Sequence, residues 1–387
     1  MSSLPDEFRA MAPFEPDEYD AAIESLIADP AFRQAMSAAL PMPFEQLAAG
    51  MRACGNAVAL QKTFTLPFLQ NLATRQGEGL TGDFEDLTPA TTARTYISNH
   101  RDIILDSGFL DVLLLQNGYP TIEIAIGDNL LIYPWIRTLV RLHGSFIVSR
   151  SGGVHELLAS SRLLSAYMHY AIGTKGNAIW IAQREGRSKD STDHTQDSLL
   201  KMMAIGGEGS VRERLMQLHL TPLAISYEYD PCDYLKAVEY QLKRDNPTYR
   251  KQPADDLRNM KTGLMGWKGH IHYHAAPCID AWLASLPEMP TRQLVTTVAE
   301  HIDAEIYRGY QLYPANYAAL ALLNRADGLP AADADAAAVT AFEEYLASRL
   351  ALIDIPNPDV PFLRHKMLEM YANPARHQLA LQAESVR

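Results

Sequence analysis

Histidine is the side chain whose ordinary pKa lies nearest neutral pH, and a carboxylate that fixes its tautomer equips it to take a proton from a hydroxyl. This chain of 387 residues places such a combination in Asn99-His100-Arg101-Asp102-Ile103-Ile104-Leu105-Asp106, directly after the β-branched and aromatic lead Thr95-Tyr96-Ile97-Ser98. The lead reads as a strand, so His100 stands at a strand's end with Asp102 and Asp106 close behind. Histidine near acids also marks solvated turns, and the stretch gains weight from three blocks downstream. These are Gly144-Ser145-Phe146-Ile147-Val148-Ser149-Arg150, then Glu185-Gly186-Arg187-Ser188-Lys189, then Leu220-Thr221-Pro222-Leu223-Ala224-Ile225. Each lies on or just after an apolar run that reads as a strand, and sites in α/β sheets gather at strand C-terminal ends. His100-Arg101-Asp102 also begins the protein-kinase catalytic loop. That loop needs an Asn five residues after the Asp, where this chain has Ser107, and no Gly-rich loop or Asp-Phe-Gly accompanies it, so kinase chemistry is excluded.

Taken in order, the four blocks resemble the glycerolipid acyltransferase superfamily, whose members acylate glycerol 3-phosphate or lysophosphatidic acid; the resemblance covers roughly residues 95 to 274. It implies that His100 deprotonates the acceptor hydroxyl for attack on an acyl thioester while an aspartate holds the imidazole. In that family the Asp comes after the His with four residues between them, where this chain has Leu105. The small pair Ser107-Gly108 behind Asp106 matches the small residues that come after the family's Asp, so one inserted residue and Asp106 are the preferred alignment, with Asp102 as the rival. By the same resemblance, Arg150 of the second block is expected to meet the acceptor's phosphate, a task suited to a guanidinium fork. The family's third block reads Glu-Gly-Thr-Arg-Ser, and here the Thr is missing from Glu185-Gly186-Arg187-Ser188. If the turn absorbs the deletion, Glu185 positions the acceptor and Arg187 holds its phosphate; if not, Arg184 or Lys189 takes that place. The implied partners are acyl-CoA or acyl carrier protein as donor and a glycerolipid acceptor, with neither metal nor bound redox cofactor. No Cys or Ser sits in a nucleophile elbow, which favours direct attack over an acyl-enzyme.

A competing constellation is His270, His272 and His274, alternate residues of a strand whose imidazoles face one side and could converge on a metal. It would make the chain a metal-dependent hydrolase. A third alternative is a non-catalytic lipid-binding protein of the same fold. Against the metal stands the local sequence, in which Asp280 is the only acid within six residues on either side.

Composition limits the classes further. Apolar residues make up 47% and charged residues 21%, a folded globular balance, and the net charge of −12 argues against nucleic acid as a partner. Cys54, Cys232 and Cys278 are far apart, which suits a reducing cytosol better than a disulfide framework. The first residues are acidic and lack an apolar core, unlike a secretory signal, and no run of eighteen apolar residues spans a membrane. Cytoplasmic location is the resulting expectation, with membrane contact peripheral and on the cytoplasmic face. Leu130-Leu131-Ile132-Tyr133-Pro134-Trp135-Ile136 has the mixture of an interfacial segment, although a core helix reads the same way.

The expected architecture is α/β: a central sheet flanked by helices, with helical N- and C-terminal extensions. The chain divides into three regions: 1–88 helical, 89–285 α/β, and 286–387 helical. The boundary before the α/β part falls in the glycine-rich, acidic stretch 76–89, which reads as a loop. Strands are expected at 95–98, 121–126, 145–148, 178–182, 220–227 and 269–274. Beyond Pro290, Leu294, Val298, Ile302 and Ile306 trace one helical face, and Tyr307, Tyr310, Tyr313 and Tyr317 form a stripe that reads as packing or interface.

Overall fold

A computed structural model describes residues 4–40, 42–150, 152–329 and 332–385. Its strands are β1 (Gly79–Phe84), β2 (Thr95–Ser98), β3 (Glu123–Gly127), β4 (Ser145–Val148), β5 (Ile179–Ala182), β6 (Leu220–Tyr227) and β7 (His270–Ala275). They form one seven-stranded sheet in the order β1-β7-β6-β2-β5-β3-β4. Every pairing is parallel except β6 with β7. The central strands are unbroken apolar or small runs rather than alternating ones, because helices cover both of their faces: all four residues of β2 are buried, and so are the first seven of β6.

One face of the sheet packs Ile97, Ile179, Ile181, Leu220 and Phe146 against helices that include Val154–Tyr170 and Thr291–Arg308. The other packs Tyr96, Trp180, Leu223 and Ile225 against helices Leu66–Arg75 and Leu105–Gln116. The 105–116 helix is apolar nearly all round, with Leu105, Phe109, Leu110, Val112, Leu113 and Leu114 buried, as expected of a helix enclosed within a core. Each such side chain contributes about 1.5–3 kcal/mol by leaving water. This packing fixes the helix whose first turn carries Asp106.

The six expected strands are present, within a residue or two at their ends. The stretch 76–89 is more than a loop. Its residues 79–84 form β1, an edge strand paired residue for residue with β7, and two of the glycines that read as loop punctuation, Gly79 and Gly82, lie within it. Gly82 belongs there because a Cβ would meet the Leu113 side chain at 2.9 Å. The 291–308 helix likewise lies on the sheet through Leu294, Val298, Ile302 and Ile306, so the sheet's own core continues past residue 286. The tyrosine stripe packs as read: Tyr307, Tyr310 and Tyr313 are buried, while Tyr317 is exposed. No helix among the described residues is long and apolar enough to cross a membrane.

Candidate active site

The C-terminal ends of β2, β5, β3 and β4 lie side by side, and the first three blocks picked out in the sequence leave the sheet there, while the fourth, 220–225, lies within β6. After β2, the Asn99 side chain grips β6, donating to the Ile225 carbonyl at 2.9 Å and accepting from the Ile225 N–H at 2.8 Å. The chain therefore leaves the sheet at a fixed angle. His100 comes next, its ring edge-on to Trp180 of β5 with centroids 5.7 Å apart. The Trp180 indole in turn donates to the Ser98 hydroxyl at 2.9 Å, which locks ring and strand together.

Asp106 is the carboxylate at the imidazole. Its Oδ2 lies 2.8 Å from His100 Nδ1 and accepts the backbone N–H groups of Arg101 at 2.6 Å and Asp102 at 3.1 Å. Its Oδ1 accepts the Tyr227 hydroxyl at 3.2 Å. Asp106 is fully buried in the first turn of its helix, where the helix dipole favours a negative charge. These contacts hold the carboxyl in place, so it can orient the ring through Nδ1–H and leave Nε2 as the basic nitrogen. Asp102 faces elsewhere: its Oδ1 accepts the N–H groups of Ile104 and Leu105, at 2.9 and 2.8 Å, and closes the turn before the helix. Burial, and then the charge of Asp106, push the Asp102 carboxyl above the usual carboxylate range.

The turn after β5 places Gly186 at φ +68°, a left-handed conformation that suits glycine. Across this turn the side chains separate. Arg184 and Glu185 line the same cavity as His100, and Arg150, from the loop after β4, joins them with its Nη1 3.6 Å from Glu185 Oε1. The β4 loop is tied to the β3 loop through Asp128, which accepts the Arg150 N–H and the Ser149 hydroxyl. Arg187 is not among the cavity-lining residues. Its Nη2 donates to Asn259 at 2.9 Å, beneath the helix Pro253–Met265, in the electrostatic neighbourhood of Asp102, Cys232 and Asp230. Ser188 is buried, with its N–H on the His100 carbonyl at 3.3 Å and its hydroxyl on Asp190. Lys189 pairs with Glu239 at 3.0 Å. Of the cations open to the sequence reading, Arg150 and Arg184 reach the cavity; the Arg184 Nε is buried with no hydrogen-bond partner.

The cavity measures about 790 Å³ and is mostly apolar, with Leu69, Ile124, Ile126, Trp135, Leu139 and Val140 among its walls. Leu130, Leu131 and Ile136 also line it, so the aliphatic and aromatic stretch from 130 to 136 serves as its wall. An arrangement of this kind can hold a long apolar group beside a general base, with a cationic patch where the polar end of a ligand would lie.

The three strand histidines do not meet at one point. His270 Nδ1 lies 2.7 Å from Glu228 and its Nε2 3.5 Å from Glu78, whereas His272 and His274 approach Asp83 at 3.6 and 2.9 Å. Among the described residues, no potential metal-ligand group contains more than one of them. The local sequence shows few acids nearby because these carboxylates come from β1, the residue before it and the residue after β6, remote in the chain.

Sequence reasoning missed Tyr227 on Asp106, Asn99 on β6 and Trp180 on the His100 ring. Their partners are eighty or more residues away in each case, so no local pattern signals them.

No family model and no curated protein matches this chain in sequence. Among solved structures, the 1-acyl-sn-glycerophosphate (LPA) acyltransferase PlsC from Thermotoga maritima aligns over 76% of this chain and 96% of its own, at 11% identity and a TM-score of 0.36. A likeness at that score carries no functional argument, which rests on the site's own geometry.

Proposed function

We propose that this protein is an acyltransferase that moves a fatty acyl group from acyl-CoA or acyl carrier protein to a hydroxyl of a glycerol-phosphate-type lipid, a step of phospholipid synthesis. One observation carries the proposal: the His100–Asp106 pair opens into a large apolar cavity that also holds Arg150 and Arg184. A hydrolase or transferase of small polar substrates has no use for such walls. A bare lipid carrier has no use for an imidazole whose tautomer is held by a buried aspartate.

In this mechanism Asp106 accepts Nδ1–H of His100, and Nε2 removes the proton of the acceptor hydroxyl as its oxygen attacks the thioester carbonyl. A C–O bond forms, the C–S bond breaks, and the proton passes from Nε2 to the departing thiolate. Arg150 and Arg184 hold the acceptor's phosphate, and Glu185, paired with Arg150, sets the side from which the glycerol enters. Arg187 keeps the loop after β5 in place through Asn259 instead of meeting substrate. Phe68, Ile104, Leu157 and Leu257 line the cavity yet are 37–44% exposed, an apolar rim suited to peripheral contact with a lipid surface from which the acceptor enters.

The test is transfer of labelled acyl groups from acyl-CoA and from acyl carrier protein to a panel of acceptors, including lysophosphatidic acid and a matched lipid without phosphate. Acylation that needs His100 and favours the phosphorylated acceptor supports the reading. Binding of lipid without transfer would establish the carrier alternative, and equal use of the unphosphorylated acceptor would remove the phosphate role from the arginines.

A further inference from the structure

Two helices border the apolar cavity and carry outward-facing charge that the transfer step does not use. Leu66–Arg75 lines the cavity with Phe68 and Leu69, and Pro253–Met265 lines it with Leu257 and Met260. Just past their C-terminal ends the two are joined, the Lys268 N–H donating to the Gln76 carbonyl at 2.8 Å.

The two sides of Pro253–Met265 differ in character. At about 100° per residue, Ala254, Leu257, Arg258, Lys261 and Met265 fall within one sector of about 100°, and each of them is exposed. The opposite side is committed to the protein: Asn259 receives Arg187 at 2.9 Å, and Gly263 packs so closely on Asp102 that a Cβ would lie 1.9 Å from its Oδ2. The helix's two acids lie outside the exposed sector. Asp255 accepts the Gln252 N–H at 2.8 Å, capping the helix, and Asp256 pairs with Lys251. Leu66–Arg75 contains no acid and ends in the exposed Arg75, with the exposed Lys62 in the turn before it. Among the described residues, Lys62, Arg75, Arg258 and Lys261 have no ion-pair partner, whereas Lys243, Arg244 and Lys251 are each paired with an acid. Unpaired cations on both helices are out of keeping with a chain whose formal charge is −12. Large apolar side chains stand among them: Phe68, Leu257 and Met265 are exposed, and so is Trp267 just beyond the second helix. A helix face that mixes cations with apolar side chains and holds no acid has the composition of an interfacial helix.

Resting on the acyltransferase reading and deepening it, we propose that this face docks on an anionic lipid surface. Phe68, Leu257 and Met265 enter the headgroup layer, and Arg258 and Lys261, supported by Lys62 and Arg75, meet lipid phosphates. A lipid surface suits the face better than an acidic protein because Phe68 and Leu257 belong at once to it and to the cavity wall, so an acceptor leaves the bilayer without crossing water.

Co-sedimentation of the full-length protein with vesicles tests this with no substrate present. Vesicles of phosphatidylcholine alone are compared with vesicles that also contain phosphatidylglycerol. Wild type should bind the anionic vesicles at least about tenfold tighter, and high salt should shrink the preference. Arg258→Gln combined with Lys261→Gln should weaken binding to anionic vesicles by about 30-fold, roughly fivefold for each cation, and leave binding to neutral vesicles within about twofold. The comparison of vesicles uses wild type alone and so does not depend on the variant's folding. Equal binding to both kinds of vesicle, binding to neither, or undiminished binding by the double variant overturns the proposal. Acyl carrier protein bound by wild type and not by the variant, with no vesicle bound, would assign the face to a protein donor instead. Transfer to a short-chain acceptor in free solution needs no surface and judges the underlying reading separately: failure with every acceptor removes the acyltransferase, whereas transfer without anionic preference removes only the docking.

Discussion

Two regions of this molecule pair histidine with carboxylate, and they differ in what surrounds the pair. At His100 the acid, Asp106, is fully buried and accepts from the imidazole, two backbone N–H groups and Tyr227, while the ring opens on a large apolar cavity. Along β7 the acids at the sheet's edge, Asp83 and Glu78, are 59% and 53% exposed; the more buried Glu228, at 14%, holds His270 from the β6 side. A carboxylate in water can leave its partner, so such a pair is worth about 0–1 kcal/mol and holds no particular tautomer. A carboxylate fixed by backbone donors cannot leave, and the ring it holds is poised for one proton. The same two residue types thus yield a candidate base in one place and a solvated surface in the other.

Removing the base is the sharpest way to break the comparison. His100→Ala should lower turnover by about 10²- to 10⁴-fold with acceptor affinity nearly unchanged, as for loss of a general base. Asp106→Asn should reproduce most of that loss. Asp102→Asn, which touches the turn and not the ring, should do less to turnover and more to thermal stability. Saturation kinetics with both substrates, beside melting curves, check all three; a larger kinetic loss for Asp102→Asn would mean that the ring is oriented by the other acid.

The arginines extend the contrast between open and enclosed. Arg184→Ala should raise the acceptor KM by about 10- to 150-fold, the weight of a charge-assisted contact of roughly 1.5–3 kcal/mol, with Arg150→Ala having a similar effect. Arg187→Ala should leave the acceptor KM of the folded protein within about threefold while lowering its melting temperature, because it loses the Asn259 contact and exposes Asp102 to an uncompensated setting. Kinetics on a phosphorylated and an unphosphorylated acceptor separate these outcomes.

Asp111 offers a smaller effect of opposite logic, since burial there acts without a ring of donors. Its carboxyl is held up to about 7 against an ordinary 3.8, chiefly by desolvation, with the Ile122 N–H pulling the other way. Between those values the unfolded chain has released a proton that the folded one keeps. Its contribution to stability is therefore greatest below about pH 4 and is lost as pH rises toward 7. Asp111→Asn should flatten that part of the curve, and the difference between wild-type and variant melting temperatures from pH 4 to pH 8 measures it.

Legibility in the sequence divides along the same line. The strand leads, the histidine at a strand end and the carboxylate behind it are local patterns, and Thr95–Ser98 and the 105–116 helix result from them. The direction in which a side chain turns is not local. The turn Glu185-Gly186-Arg187 runs through a left-handed glycine, and Arg187 is paired with Asn259, about seventy residues on, while Arg184 lines the cavity. Strand β1 escaped because Gly79 and Gly82 carry loop signals; its pairing with β7, nearly two hundred residues later, outweighs them. The acids that disperse the β7 histidines were hidden in the same way.

The smallest expected effect tests the other half of the comparison. Replacing His270, His272 and His274 together by Gln removes three imidazoles from β7, the strand next to the sheet's edge, while keeping polar side chains there. His270 faces Glu228 and Glu78, His272 faces Asp83, and His274 faces Asp83 and Glu85, so the loss is a few half-exposed histidine–carboxylate contacts worth about 1 kcal/mol each. Turnover and both KM values should stay within about twofold of wild type, and the melting temperature should fall by only a few degrees. The parent protein should bind no zinc through these residues, because a zinc site needs its ligand nitrogens converging within bonding distance of one point. Zinc titration of wild type and triple variant, then acyl transfer with and without chelator, examines this directly. Stoichiometric zinc in wild type that is lost in the variant, together with activity lost in both the variant and the chelated protein, would transfer the chemistry from His100 to β7. Unchanged kinetics in the triple variant would leave the buried aspartate, and not the number of histidines, as what makes a histidine site here.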